Sequence, residues 1–331
     1  TAHETYDDAM TETKQMLEVY RAFAEEFLAL PVITGEKIAA ERFPGAETTL
    51  CIEAMMQDGR ALQAGTSHHL GQNFAKACDI KFQSRDGKLE HVHTTSWGAS
   101  TRLLGALVMT HADDNGMKMP PRIAPWQVVI LPILHGDANP KEVMAYCEQL
   151  KAELLNETFD GGEIRSKVDA RDIAVGEKRW SWIKKGAPLI IEIGAKDMAA
   201  RKVCVTRRDK LDQGKRFDER VSFVGHIGQE LAEIQRGMFD SALAFQKERT
   251  VSNITDWSAF EAYFSKGEDN DYTGGQGFVR AKWCGDEETL SKLDPLGVTV
   301  RCIPFDQDGK EGTCVLTGKP ATQDVIFARA Y

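Results

Sequence analysis

QAGTSHHLGQNFAKA, Gln63 to Ala77, places a glycine, two hydroxyls and two adjacent histidines directly before residues with helical spacing. Leu70, Phe74 and Ala77 repeat at the helix period, and Gly65, Thr66 and Ser67 supply a turn and an N-cap. The histidines are therefore expected in the first helical turn, where free N–H groups and the positive end of the helix dipole would meet an anionic or carbonyl-bearing ligand. The alternative for the same residues is a capped surface helix whose histidines bind nothing.

Upstream, a helical pattern runs from Tyr6 to Leu30 and stops at Pro31. Short strands are expected around Thr48 to Ala54, Ile80 to Phe82 and Leu89 to Thr95, with QDGR and RDGK as turns, which makes an antiparallel α+β unit. After MPPRIAPW, Met119 to Trp126, strand and helix alternate. Strand QVVILPI, helix Lys141 to Leu155, a strand near Ile164 to Val168, helix Arg171 to Lys185, and strands PLIIEIG and KVCVTRR predict a layered α/β domain with a mostly parallel sheet. A long helix from about Ile227 to Lys247 leads to a C-terminal region of short strands and turns.

The 331 residues are enough for two or three domains, and 42% hydrophobic with 27% charged residues is a globular composition. No apolar run is long enough to span a bilayer, so no membrane partner is expected. The acidic opening TAHETYDDAM lacks the pattern of a signal peptide, and seven cysteines without a CxxC pair suit a reducing compartment, so a cytoplasmic location is expected. A net charge of −9 argues against non-specific nucleic-acid binding by the whole chain. Between Arg201 and Arg220, however, eight basic residues stand against four acidic ones, leaving either a local RNA surface or a solvated face.

Taken together, IEAMMQDGRALQAGTSHHLGQNFAKA, TTSWGASTRLLGALVMTHADDNG and PPRIAPWQVVILPI resemble the catalytic core of the prolyl-tRNA synthetase family, within the class IIa aminoacyl-tRNA synthetases. WIKKGAPLIIEIGAKDM resembles the anticodon-binding domain of that class, and KWCG, RCIPF and the terminal FARAY resemble the C-terminal domain of the archaeal and eukaryotic type. The resemblance implies a partial antiparallel class II catalytic domain at 1–123, an α/β anticodon-binding domain at 124–225 and a C-terminal α+β domain at 226–331. It also implies that motifs 1 and 2 lie ahead of Thr1, so that the chain as written is expected to be incomplete for activity. The bacterial-type editing insertion is not found between Thr1 and Gln63.

By the same resemblance, the reaction is ATP-dependent activation of L-proline, with Mg2+ in the nucleotide complex, followed by transfer to tRNA(Pro) by a homodimer. A non-catalytic tRNA-binding fragment and a regulatory paralogue are the competing readings. Gln63 and Thr66 would contact ATP, His68 would line the proline pocket, and Ser96, Trp97 and Gly98 would form its floor. Arg102 matches the motif 3 arginine, whose planar, permanently charged fork suits phosphates. Glu53 is a candidate acid near metal and phosphates, or else a strand end. Arg207 and Arg208 would meet tRNA, and of Trp180 and Trp182 the second is expected in the core. Tyr331 matches a terminal tyrosine that lies near the active site, so an ordered C-terminus is expected.

The family often carries a four-cysteine zinc site. Here Cys284 and Cys314 are present, while Thr289 and Leu316 stand at the other two expected positions, so no structural zinc is expected. TGGQGF lacks the lysine and following helix of a phosphate loop, HVH (His91, His93) lacks a third ligand, and HADDNG reads as a helix-ending turn.

Overall fold

Gln63 to Gly71 is strand, not the start of a helix. In the computed structural model, which describes residues 1–134, 139–265 and 277–331, Ala61–Gly71 is extended and helix is confined to Asn73–Ala77. Ser67 and His69 are fully buried, while Thr66 and His68 are only partly covered. That period of two is set by pairing with Thr48–Met55 on one side and His93–Gly98 on the other, and tertiary pairing outweighs the local capping signal.

Helix Tyr6–Ala22 covers the buried face. Thr5 Oγ1 accepts the Asp8 N–H at 3.1 Å, satisfying one of the orphan donors of the first turn. Ala9, Thr13 and Leu17, four apart, turn one side toward the sheet, and Ser67 Oγ donates to the Thr13 carbonyl at 2.8 Å. The expected continuation to Leu30 is interrupted: hydrogen bonding widens to a π turn over Phe23–Phe27, and Ala29 takes a φ of 52°, which ends a right-handed helix.

The strands form a nine-stranded sheet in the order Ala2–His3, His93–Gly98, Ala61–Gly71, Thr48–Met55, Val32–Glu36, Val298–Pro304, Gln323–Arg329, Phe278–Trp283 and Thr250–Val251. Its N- and C-terminal halves join where Ile303 lies opposite Glu36 and Pro304 opposite Gly35. Only hydrogen fits at Gly35, because a Cβ would lie 2.4 Å from the Ile303 carbonyl oxygen and 2.9 Å from Cys302 Sγ. The three segments expected at 1–123, 124–225 and 226–331 accordingly gather into two compact units, one of residues 1–26, 30–110 and 243–331, the other of residues 27–29 and 111–242. The expected boundary at 225/226 falls inside the continuous helix Arg220–Glu248.

The second unit is the expected layered α/β arrangement. Its five strands run Ser166–Val168, Val128–Pro132, Leu189–Ile193, Lys202–Arg207, Lys215–Glu219, the first three parallel and the last two added antiparallel. Val128, Ile130, Leu189 and Ile191 pack against Val143, Cys147 and Leu150 of helix Pro140–Leu154 on one face. Val129, Leu131 and Ile190 pack against Trp182 and Ile183 of helix Val175–Lys185 on the other. Cover on both faces is why QVVILPI and PLIIEI read as unbroken apolar runs. Trp182 is 7% exposed and Trp180 47%, so the core tryptophan is the expected one.

His111 is buried in this unit and its Nε2–H donates to the Leu28 carbonyl at 2.9 Å. Burial pushes its pKa from 6.5 down to about 4. Between those values the unfolded chain holds the extra proton, so the stabilisation is complete above pH 6.5 and is lost as pH falls toward 4. His111→Gln is expected to remove about 3 kcal/mol of acid-side pH dependence, read as a flatter plot of unfolding midpoint against pH.

Candidate active site

Adjacent strands of the nine-stranded sheet bring most of the sequence-predicted site residues to its open face. Register places Thr66 opposite Gly98 and His68 opposite Ser96, so these four side-chain positions share that face. Gln63 lies opposite Glu53 beside a bulge between Ile52 and Glu53. Arg102 opens helix Arg102–His111, and its Nη1 donates to the Gln63 carbonyl at 3.2 Å. Beyond that contact the guanidinium is exposed. Among the described residues, a Cβ at Gly98 would meet nothing within 4 Å.

His68 is the most constrained member. Its Nδ1 lies 2.9 Å from Thr49 Oγ1, which also accepts the Phe43 N–H at 3.3 Å, and the Phe43 ring centroid is 5.0 Å away. Burial lowers its pKa, so the imidazole is neutral at pH 7. In the tautomer where the Thr49 hydroxyl donates to Nδ1, the ring proton is on Nε2, a neutral donor suited to a carbonyl or carboxylate. His69 is turned to the opposite face and is 0% exposed, packed 4.3 Å from the Tyr6 ring.

Three expected site residues are placed elsewhere. Trp97 lies opposite Ser67, so alternation turns it toward the helix-covered side, away from Ser96 and Gly98. It does not belong to the same floor. Glu53 is 0% exposed and held between two cations: Lys37 Nζ at 2.8 Å and Arg301 Nη2 at 3.0 Å. Both carboxylate oxygens are engaged, which leaves no lone carboxylate for a metal or phosphate site. Arg208 is 1% exposed, giving its donors to Asp113, the Ile183 carbonyl and the Gly116 carbonyl, so it cannot reach RNA.

Arg207 is clamped by Asp209 at 2.8 Å, and Lys215, Arg216 and Arg220 are also ion-paired within the unit. The local excess of positive charge is thus mostly neutralised by acidic residues distant in sequence. A different basic and aromatic surface lies along the edge strand Ser166–Val168. There a groove of about 540 Å³ is lined by Trp126, Lys151 and Lys167, among others. Lys167 Nζ lies 5.3 Å from the Trp126 ring centroid and 5.8 Å from that of Trp182, over which Lys185 Nζ stands at 4.8 Å. The sequence signal was available in a Trp just ahead of a strand and a Lys on an edge strand, but no charge run marked it.

The C-terminal tyrosine is fixed beside the site strands. Its N–H donates to the Ala61 carbonyl at 3.3 Å, its hydroxyl donates to Asp58, and the Arg60 guanidinium stands 5.6 Å from its ring centroid. Thr317 Oγ1 lies 3.5 Å from Cys284 Sγ. Leu316 is 2% exposed among apolar neighbours, so Thr317, not Leu316, is the residue that faces the two cysteines. His91 and His93 belong to two different strands, and HADDNG closes as a turn with Asp113 and Gly116 bridged. The TGGQ of TGGQGF lies outside the described residues.

Residues 127–225 match the family model described as the anticodon binding domain, and residues 271–331 match that described as prolyl-tRNA synthetase, C-terminal. Along the whole chain, identity is 52% to a protein of Paramagnetospirillum magneticum, 46% to one of Protochlamydia amoebophila and 48% to one of Bdellovibrio bacteriovorus, each named proline–tRNA ligase. All of this chain is matched in each case, and it spans 65% of the length of these relatives. From Thr1 to Tyr331, therefore, the chain is similar to proline–tRNA ligases and carries sequence similar to both an anticodon binding domain and the prolyl-tRNA synthetase C-terminal domain.

Proposed function

We propose that this chain supplies part of a prolyl-tRNA synthetase of the archaeal and eukaryotic type: the motif 3 side of a class II catalytic core, the anticodon-binding domain and the C-terminal domain. The reaction is activation of L-proline by ATP to prolyl-adenylate, with Mg2+ carried in as the nucleotide complex, and transfer of the prolyl group to tRNA(Pro). The working assembly is a cytoplasmic homodimer. The observation that carries this reading is similarity over the full chain to proline–tRNA ligases, combined with Gln63, Thr66, His68, Ser96 and Gly98 on adjacent strands and Arg102 tied to the first of them. The type assignment rests on the short interval between Thr1 and Gln63.

Activation requires the proline carboxylate to attack the α-phosphate in line while pyrophosphate leaves. Arg102, exposed but tethered at Gln63, neutralises the charge that builds on the phosphates. Gln63 and Thr66 hold the nucleotide through amide and hydroxyl groups. His68 donates from Nε2 to the amino-acid carboxyl, fixing its direction, while Ser96 and Gly98 bound the ring. The size and shape of the pocket separate proline from smaller amino acids by about 1–3 kcal/mol for each methylene.

For the tRNA, Lys167, Lys185 and Trp126 replace Arg207 and Arg208 as the proposed contacts, because an unstacked base is read by stacking and nearby cations. Charging of tRNA(Pro) by the full-length protein, with proline, alanine and cysteine compared as substrates, tests the reading. Prolyl ester as the main product supports it. Charging with another amino acid, or none with proline, overturns it.

A further inference from the structure

Thr49 stands opposite His68 in the strand Thr48–Met55, and it is a buried polar residue, 1% exposed. Among the described residues its hydroxyl has two partners. The Phe43 N–H donates to the oxygen at 3.3 Å, and His68 Nδ1 lies 2.9 Å away. The backbone on either side is fixed. The Lys37 N–H donates to the Thr49 carbonyl at 2.8 Å, and the Ala46 N–H closes the preceding turn onto the Phe43 carbonyl at 2.9 Å. Asn73 Nδ2 ties that turn down, donating to the Gly45 carbonyl at 3.0 Å.

A hydroxyl carries one hydrogen and two lone pairs, and a backbone N–H only donates. With one lone pair taken by Phe43, two arrangements are open to the contact with His68. If Nδ1 carries the ring proton, it takes the second lone pair, and the buried hydroxyl hydrogen has no acceptor among the described residues. If Nε2 carries the proton, the hydroxyl hydrogen goes to Nδ1 and each of these polar atoms has a partner. Because an unpaired buried donor is costly, the second arrangement is favoured by about tenfold or more. No hydrogen bond from the described residues reaches His68 Nε2, and the residue shares the open sheet face with Thr66 and Ser96.

We propose that Thr49 is a positioning residue for the reaction: through the chain of Phe43 N–H, Thr49 O–H and His68 Nδ1 it selects the tautomer whose Nε2–H donates to the amino-acid carboxylate. This role rests on the reading of His68 as a proline contact. Thr49 touches no substrate itself and acts only through the imidazole. Burial keeps that ring neutral at pH 7, so the hydroxyl decides between two tautomers and not between charge states. The same bond fixes the plane of the ring, which aims Nε2 before the amino acid arrives.

Nitrogen NMR of the full-length protein labelled at histidine, with His68→Ala to assign the resonances, reads the tautomer, and proline-dependent pyrophosphate exchange reads its consequence. A pyrrole-like Nε2 and a pyridine-like Nδ1 are expected for His68 in the unaltered protein and in Thr49→Ser. Thr49→Val keeps the shape without the hydroxyl and is expected to show both tautomers. Its KM for proline should rise about fivefold, the usual worth of one hydrogen bond, with the KM for ATP unchanged, while Thr49→Ser keeps the original value. A protonated Nδ1 in the unaltered protein overturns the proposal without any variant. So does a tautomer ratio that Thr49→Val leaves unchanged while His68→Ala still raises the KM for proline. A shifted tautomer with the KM for proline unmoved in both Thr49→Val and His68→Ala overturns the reading of His68 as a proline contact, and the role of Thr49 with it.

Discussion

Arg102→Ala is expected to lower proline-dependent exchange of pyrophosphate into ATP by about 10²- to 10³-fold, the usual cost of losing one preorganised group on developing charge. The unfolding midpoint should barely move. Arg102 is exposed, and among the described residues its side chain gives a single hydrogen bond, to the Gln63 carbonyl at 3.2 Å, so little packing is lost with it. Arg102→Lys keeps the charge but not the planar fork, and should recover only part of the rate. A variant with normal exchange would remove Arg102 from the site.

Glu53→Gln is expected to do the reverse, acting on stability before chemistry. The carboxylate is 0% exposed and accepts from Lys37 and Arg301, themselves 3% and 9% exposed at the side chain. A neutral amide leaves two buried cations without a counter-charge, a loss of about 3–5 kcal/mol, or a fall of roughly 10 °C in the unfolding midpoint. Because Arg301 lies in the strand whose Ile303 and Pro304 join the strand Val32–Glu36, the loss is felt at the join of the sheet. Thermal unfolding followed by circular dichroism measures it. An unchanged midpoint with abolished exchange would return Glu53 to the chemistry.

How far the sequence could be read depended on whether the deciding interaction was local. QVVILPI and PLIIEI were legible as buried parallel strands, because cover on both faces leaves a continuous apolar run. Trp182 was legible as core from its place on an amphipathic helix. The opposite holds for Gln63 to Gly71: Gly65 to Ser67 make a good local cap, yet the segment is paired on one side by its hairpin partner Thr48–Met55 and on the other by His93–Gly98, and that pairing wins. The strand period then redistributes the site. His68 and Ser96 stay together, whereas Trp97, adjacent in sequence to two site residues, turns away.

Charge was legible only as a sum. Arg208 looked like a surface cation because its partner Asp113 is far away in sequence, and Glu53 looked like a lone acid because Arg301 is farther still. Buried ion pairs between remote residues have no local signature, and neither does the joining of the two halves of one sheet at Gly35. The motif residues were read through resemblance. Their common face could be seen only once register was known.

The most direct test of the central claim is amino-acid-dependent exchange of labelled pyrophosphate into ATP by the full-length protein, with His68→Ala measured alongside. Exchange that requires proline, and a His68→Ala variant whose KM for proline rises while its KM for ATP is unchanged, is the result predicted. Exchange that is absent with proline, or that His68→Ala leaves untouched, would contradict the assignment of this sheet face as the proline-activating site.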